Sequence, residues 1–126
     1  FDNEQQHITP TLSEKIRQKL INASEKLGIP LIKKGIYWQT RGPRLETKAE
    51  IRMMSRFADI VGMTMASEAM IACEMDIEYA SICSVDNFGH GLTESPLSMQ
   101  EIKETARKNA GKILKIVDYC LKTEPF

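Results

Sequence analysis

The chain has 126 residues, a mass of 14.3 kDa and 17 basic against 17 acidic side chains, so its formal net charge is zero. That is at most one domain's worth of protein, and it lacks the positive excess with which proteins grip nucleic acid or an anionic membrane. Hydrophobic residues at 42% and charged residues at 27% are ordinary globular composition, while no apolar run suits a transmembrane helix and no signal peptide is visible.

The stretch Phe1 to Pro10 is polar and irregular, and a first residue other than Met leads us to expect a chain that begins inside a longer protein. Thr11-Leu12-Ser13-Glu14 reads as a capping box opening a helix. Ile16, Leu20, Ala23 and Leu27 give that helix an apolar face, and Gly28 ends it. After Pro30, Ile32 and Ile36-Tyr37-Trp38 predict a strand to about Thr40. Arg41-Gly42-Pro43-Arg44 is a turn, and Thr47-Lys48-Ala49-Glu50 is a second capping box, for a helix through Ile51, Met54 and Phe57. Asp59 to Gly62 is a short strand, Met65 to Met75 is apolar at helical spacing, and Tyr79 to Val85 has the near-continuous apolar run of a strand buried on both faces. Asp86 to Pro96 is a loop. Ser98-Met99-Gln100-Glu101 is a third capping box, opening a long helix striped by Ile102, Ala106, Ala110, Ile113, Val117 and Leu121.

Helices alternating with strands imply an α/β sheet with helices on its faces. Ligands in such sheets bind beyond the carboxyl ends of the strands. Those ends are the 40–46, 63–64 and 86–91 segments. The three cysteines, Cys73, Cys83 and Cys120, are odd in number and form no CxxC pair, so they predict buried free thiols in a reducing cytosol, with no disulfide framework or zinc site. His7 and His90 lie far apart, and no metal motif is present.

Thr64 follows a strand and precedes a helix. A hydroxyl there, beside free backbone N–H groups, suits an anion such as phosphate; it equally suits the N-cap of its own helix. Glu46, just before a helix cap, gains from the helix dipole and can accept hydrogen bonds from a ligand carrying N–H donors; otherwise it is a solvated turn charge. The Asn87 amide offers both a donor and an acceptor to a heterocycle edge, although Asp86-Asn87 before Gly89 also suits a plain turn. Gly89-His90-Gly91 lacks the spacing of a nucleotide-binding glycine loop.

These residues fall in a longer ordered series. Gly35-Ile36-Tyr37, Gly42-Pro43-Arg44-Leu45-Glu46-Thr47 with Ala49-Glu50, Val61-Gly62-Met63-Thr64 with Glu68, Tyr79-Ala80-Ser81-Ile82 and Asn87 together resemble the purine nucleoside phosphorylase and 5'-methylthioadenosine phosphorylase family, from about His7 to the C-terminal helix. The resemblance implies a three-layer α/β/α fold with a mixed sheet, of which residues 1–126 are the C-terminal half of a single domain. It implies a cytoplasmic pentosyltransferase of purine salvage, built as a trimer or a multiple of one. Phosphate attacks C1' of a purine nucleoside through an oxocarbenium-like transition state while negative charge gathers on the purine. Inorganic phosphate is a co-substrate, and no cofactor, metal, nucleic acid or membrane is involved.

By position, the resemblance makes Thr64 the phosphate-binding hydroxyl and Met63 the residue packed on the ribose. Leu45 stands where Phe usually meets the base. Glu46 matches the residue that accepts N1–H of a 6-oxopurine, Ser in one type of methylthioadenosine enzyme. Asn87, the candidate catalytic residue, faces N7 and the 6-substituent, with Phe88 and Gly89 beside it on the substrate. Met99 replaces a His that meets the 5'-hydroxyl, and His7 matches a position reaching a neighbouring subunit's 5' pocket. An apolar Met99 leaves a buried 5'-hydroxyl unpaired at a cost of about 1–3 kcal/mol and suits a methylthio group. The combination implies a 5'-methylthioinosine type of specificity, with 5'-methylthioadenosine as the alternative. Ser67 for Pro, His90 for a small residue, a shorter Phe57-Ala58-Asp59 junction, and Asp86 for Thr, which adds a charge near the base, depart from the family pattern. The Gly-rich phosphate loop and the Arg and His that grip phosphate belong to the family's N-terminal half, so this chain alone is expected to be catalytically silent. Two other readings stay open: a non-catalytic module retaining the base pocket and assembly surface, and a nucleoside hydrolase-like relative, which a phosphate-independent reaction would mark.

Overall fold

The computed structural model describes residues 7–96 and 98–123. Helix α1 (Glu14–Lys26) is capped by Ser13, whose Oγ accepts from Ile16 N. The cap is Ser13 rather than Thr11 because tertiary bonds fix the chain there: Ser13 N donates to Tyr79 O at 2.7 Å, and Ser13 Oγ to Glu78 at 3.0 Å. Gly28, with φ +62°, closes the C-terminus in the left-handed conformation that glycine adopts at no steric cost.

Strand β1 (Tyr37–Gln39) pairs in parallel with β2 (Ile60–Gly62), in the register Tyr37 to Ile60 and Gln39 to Gly62. Thr40 N extends the ladder to Gly62 O at 2.8 Å. Between the strands lies α2 (Lys48–Met54), whose Thr47 and Glu50 form the reciprocal capping box read from the sequence. Helix α3 (Met65–Glu74) follows β2 and packs on β1, and α4 (Met99–Thr123), with Ser98 Oγ accepting from Glu101 N, packs on α1.

Residues 79–85 form no strand. They run without ladder hydrogen bonds among the described residues, in a chain whose sheet is the β1–β2 pair. An apolar run becomes a strand only when a neighbouring strand takes its N–H and C=O groups. Here Ile82 instead packs against Ala23 of α1 and Ile116 and Cys120 of α4, the core of the helical layer. This seat also shifts the stripe of α4. Ile116 and Cys120 are its buried positions, while Ala110 and Leu121 are exposed. Leu27, read as part of the apolar face of α1, is likewise exposed. None of the three cysteines is in a disulfide, but only Cys120 is buried; Cys73 is half-buried, and Cys83 is exposed because the 79–85 segment is not enclosed. No helix among the described residues is long and apolar enough to cross a membrane.

Candidate functional site at the strand ends

Parallel pairing in register makes β1 and β2 end side by side, so the 40–46 and 63–64 segments leave the same edge of the sheet. Met63 crosses to the first of them: its Sδ lies 2.7 Å from where a Cβ on Gly42 would sit, in the turn that contains the cis Gly42–Pro43 bond. Glu46 closes the same turn. It is a buried carboxylate, 9% exposed, and Thr40 Oγ1 donates a hydrogen bond to its Oε1. A charge removed from water needs hydrogen-bond donors to offset its desolvation. Thr40 supplies one from within the chain, and no other hydrogen bond to the carboxylate comes from the described residues. Leu45, 47% exposed, faces outward beside it.

The entry to α2 is held by charge. Arg44 donates to both carboxylate oxygens of Glu50, at 2.9 and 2.6 Å, and Thr47 N donates to Glu50 at 2.7 Å. The Arg44 guanidinium, helped by the Thr47 backbone and hydroxyl, holds the Glu50 carboxyl down to about 2.

The β2–α3 turn answers the alternative left open for Thr64. Its side chain makes no capping bond, and its backbone sits at φ −130°, ψ −47°. The amides that an N-cap would serve are bonded from β1 instead: Ala66 N and Ser67 N donate to Gln39 Oε1 at 2.7 and 3.1 Å. Gln39 Nε2 donates to Ser67 Oγ, and Thr64 N donates to the Tyr37 hydroxyl at 3.3 Å. Thr64 is therefore exposed with its hydroxyl free of hydrogen bonds to described residues. Pattern reading missed Gln39, Tyr37 and Thr40 as site-building residues. The available signal was strand parity, since Tyr37 and Gln39 share one face at the end that meets the next helix.

The 86–91 loop reaches α2 through Gly89, where an added Cβ would lie 3.0 Å from Ile51. Asp86, expected to add a charge near the base, is held by a residue of α4. Its carboxylate accepts from Asn109 Nδ2 of α4 at 3.1 Å, which turns it into the helical layer. Asn87 is exposed and donates to the carbonyl of Phe88 at 2.8 Å, so its amide is occupied locally; no hydrogen bond joins it to Glu46. Phe88 is exposed. Met99, 55% exposed, opens α4, and His7 is exposed without a hydrogen bond to the strand-end residues among the described residues. A cavity of about 120 Å³ between α2 and the 90–92 segment is lined by Lys48, Ile51, Arg52, Ser55, His90 and Leu92. That is far below the size of a nucleoside site, and it contains none of the residues expected on the substrate. The structure thus brings Glu46, Met63 and Thr64 to one edge, leaves Leu45 beside them, docks the Asn87 loop on α2, and joins neither His7 nor Met99 to that edge by a hydrogen bond among the described residues.

A model of the phosphorylase superfamily matches residues 2–122. The chain belongs to that superfamily. Among relatives of this chain, a probable 6-oxopurine nucleoside phosphorylase of Archaeoglobus fulgidus is 49% identical over 92% of the chain and 48% of the relative. A probable S-methyl-5'-thioinosine phosphorylase of Methanosarcina acetivorans is 45% identical over 81% of the chain and 39% of the relative. A solved double mutant of the adenosine/methylthioadenosine phosphorylase of Schistosoma mansoni, in complex with adenine, superimposes with a TM-score of 0.77 at 23% identity, covering 86% of the chain and 45% of its own. The α/β phosphorylase fold is therefore shown, and the chain spans about half the length of the proteins it matches.

Proposed function

We propose that this chain is the C-terminal half of a single phosphorylase domain and carries the base- and phosphate-facing edge for phosphorolysis of a purine nucleoside, in particular one with a 6-oxopurine base and a 5'-methylthio group. The observation that carries the reading is Glu46: a carboxylate with 9% exposure, placed at the strand ends beside Met63 and Thr64. A buried acceptor there favours a base that presents an N–H, as a 6-oxopurine does at N1, over one that presents a lone pair, as adenine does. The names of the Archaeoglobus and Methanosarcina relatives support the same class. Asn87 is assigned the second base contact, which requires its amide to leave the Phe88 carbonyl, with Phe88, Gly89 and Leu45 against the purine, Met63 against the ribose and Thr64 on phosphate. Met99 and His7 are assigned to the 5' end in a trimeric, cytoplasmic assembly serving purine salvage. Inorganic phosphate is the co-substrate, and the chemistry asks for no cofactor.

Base recognition is tested by calorimetric titration of the chain with hypoxanthine and with adenine. Hypoxanthine is expected to bind more tightly by about tenfold or more, the worth of one hydrogen bond to a charged group. Glu46→Ser with Asn87→Asp should narrow or reverse that ratio. An unchanged ratio overturns the reading. Phosphate-dependent release of hypoxanthine from 5'-methylthioinosine is expected from the assembled site and not from the 14.3 kDa chain alone; release by the chain alone would show that its own residues suffice.

A further inference from the structure

The N-terminus of α3 is capped from another element. An N-cap side chain ordinarily accepts from the second or third amide of its own helix. In α3 those amides belong to Ala66 and Ser67, and both are bonded to Gln39 Oε1, at 2.7 and 3.1 Å. The Gln39 amide also gives its N–H to Ser67 Oγ, which fixes which way the amide faces. Thr64, at the sequence position of the cap, makes no such bond. Two consequences follow from simple accounting. The Thr64 hydroxyl is released, and the Ala66 and Ser67 amides are closed to any anion. A third concerns charge. Asp would be the commoner cap chemistry, but a carboxylate beside Thr64 would repel an oxyanion, whereas an amide accepts the same two bonds without charge.

We propose that Gln39 is a positioning residue that caps α3 in place of Thr64 and so frees the Thr64 hydroxyl to bind an oxyanion. The proposal rests on the reading of Thr64 as the phosphate-facing residue. It makes Gln39 a determinant of anion affinity through Thr64, without contact of its own.

The test uses the 126-residue chain, nuclear magnetic resonance and inorganic phosphate titrated against sodium chloride at constant ionic strength. Amide exchange at Ala66 and Ser67 reads the cap, and the shift of the Thr64 and Met65 amides reads phosphate. Thr64→Val should leave exchange at Ala66 and Ser67 unchanged and abolish the phosphate shift. Gln39→Leu should raise the phosphate midpoint about tenfold, because the Thr64 hydroxyl turns to cap its own helix; the double variant, with neither cap, should then exchange about tenfold faster than either single one. Gln39→Glu keeps the acceptor and should keep Ala66 and Ser67 protected while still weakening phosphate, which a purely structural role would not do. Faster exchange in Thr64→Val alone overturns the proposal, as does a Gln39→Leu chain with unaltered exchange and phosphate midpoint, or a Gln39→Glu chain that binds phosphate as before. If the unaltered chain shows no phosphate shift at Thr64, the phosphate reading of that residue falls and the anion-positioning role falls with it, while the exchange measurements still decide which residue caps the helix.

Discussion

Arg44 and Glu50 carry the most perturbed carboxylate among the described residues. The folded-state value of Glu50 is depressed to about 2, below the ordinary carboxylate range. A depressed carboxylate stabilises the fold at pH values above its unfolded pKa, and that contribution fades as pH falls toward 2. A carbon-detected titration should find Glu50 still ionised below the ordinary carboxylate range and protonated only as pH falls toward 2, and Arg44→Met should return it toward the usual range. Tyr79 moves the opposite way. Burial, then its hydrogen bond to Glu68 at 2.6 Å, pushes the phenol up to about 12. Its stabilising effect is complete below about 10, the unfolded phenol value, and is lost as pH rises toward 12. Ultraviolet titration should show Tyr79 ionising late, and Glu68→Gln should bring it earlier. At this scale the motifs identified Glu46, Met63 and Thr64, and the structure gathers them at one edge. What they could not convey was who holds whom. Ala66 is capped from 27 residues earlier, and Asp86 is drawn away by Asn109, 23 residues later. No local pattern encodes partners that only the fold brings close.

Among the elements, helices were legible and one strand was not. Capping boxes and apolar periodicity are local, so α2, α3 and α4 start at or within a residue of their predicted positions. Residues 79–85 carried the composition of a strand, but strand identity needs a partner, and the 3-residue β1 and β2 satisfy each other. The close fit between those strands makes a sharp prediction. A Cβ on Gly62 would collide with the Tyr37 hydroxyl oxygen. Gly62→Ala should therefore cost about 1–3 kcal/mol, the range for overpacking, and Tyr37→Phe in the same chain should recover part of it; denaturant midpoints measure both. In the helical layer, Ile116 is 2% exposed between α1 and α4. Ile116→Ala should cost about 2–5 kcal/mol, readable by thermal unfolding.

Taken as a whole, the molecule exposes 10050 Å². A compact monomer of this mass exposes about 6,800 Å². Ile32, Phe57, Ile71, Met75 and Val85 are among the large apolar side chains left in contact with water, and Ile116 and Cys120 are its largest fully buried ones. Apolar surface of that extent drives association. Sedimentation velocity should show the chain associating with rising concentration, and a monodisperse monomer across the micromolar range would contradict this. The exposure also fits a site that is an edge rather than a pocket: Glu46, Met63 and Thr64 share the strand ends, and the other residues expected on substrate are not gathered around them.

The borrowed cap of α3 bears on the order in which the chain folds. A helix of 10 residues is too short to persist alone in water, and α3 lacks even a cap of its own. In the folded chain the amides of its first turn are bonded by Gln39, which reaches them once β1 has come alongside β2. The folded-state cap of α3 therefore arrives with strand pairing, so the excised 60–75 peptide should be coil, and in the intact chain the first turn of α3 should gain protection no earlier than the β1–β2 ladder in a pulse-labelled refolding experiment.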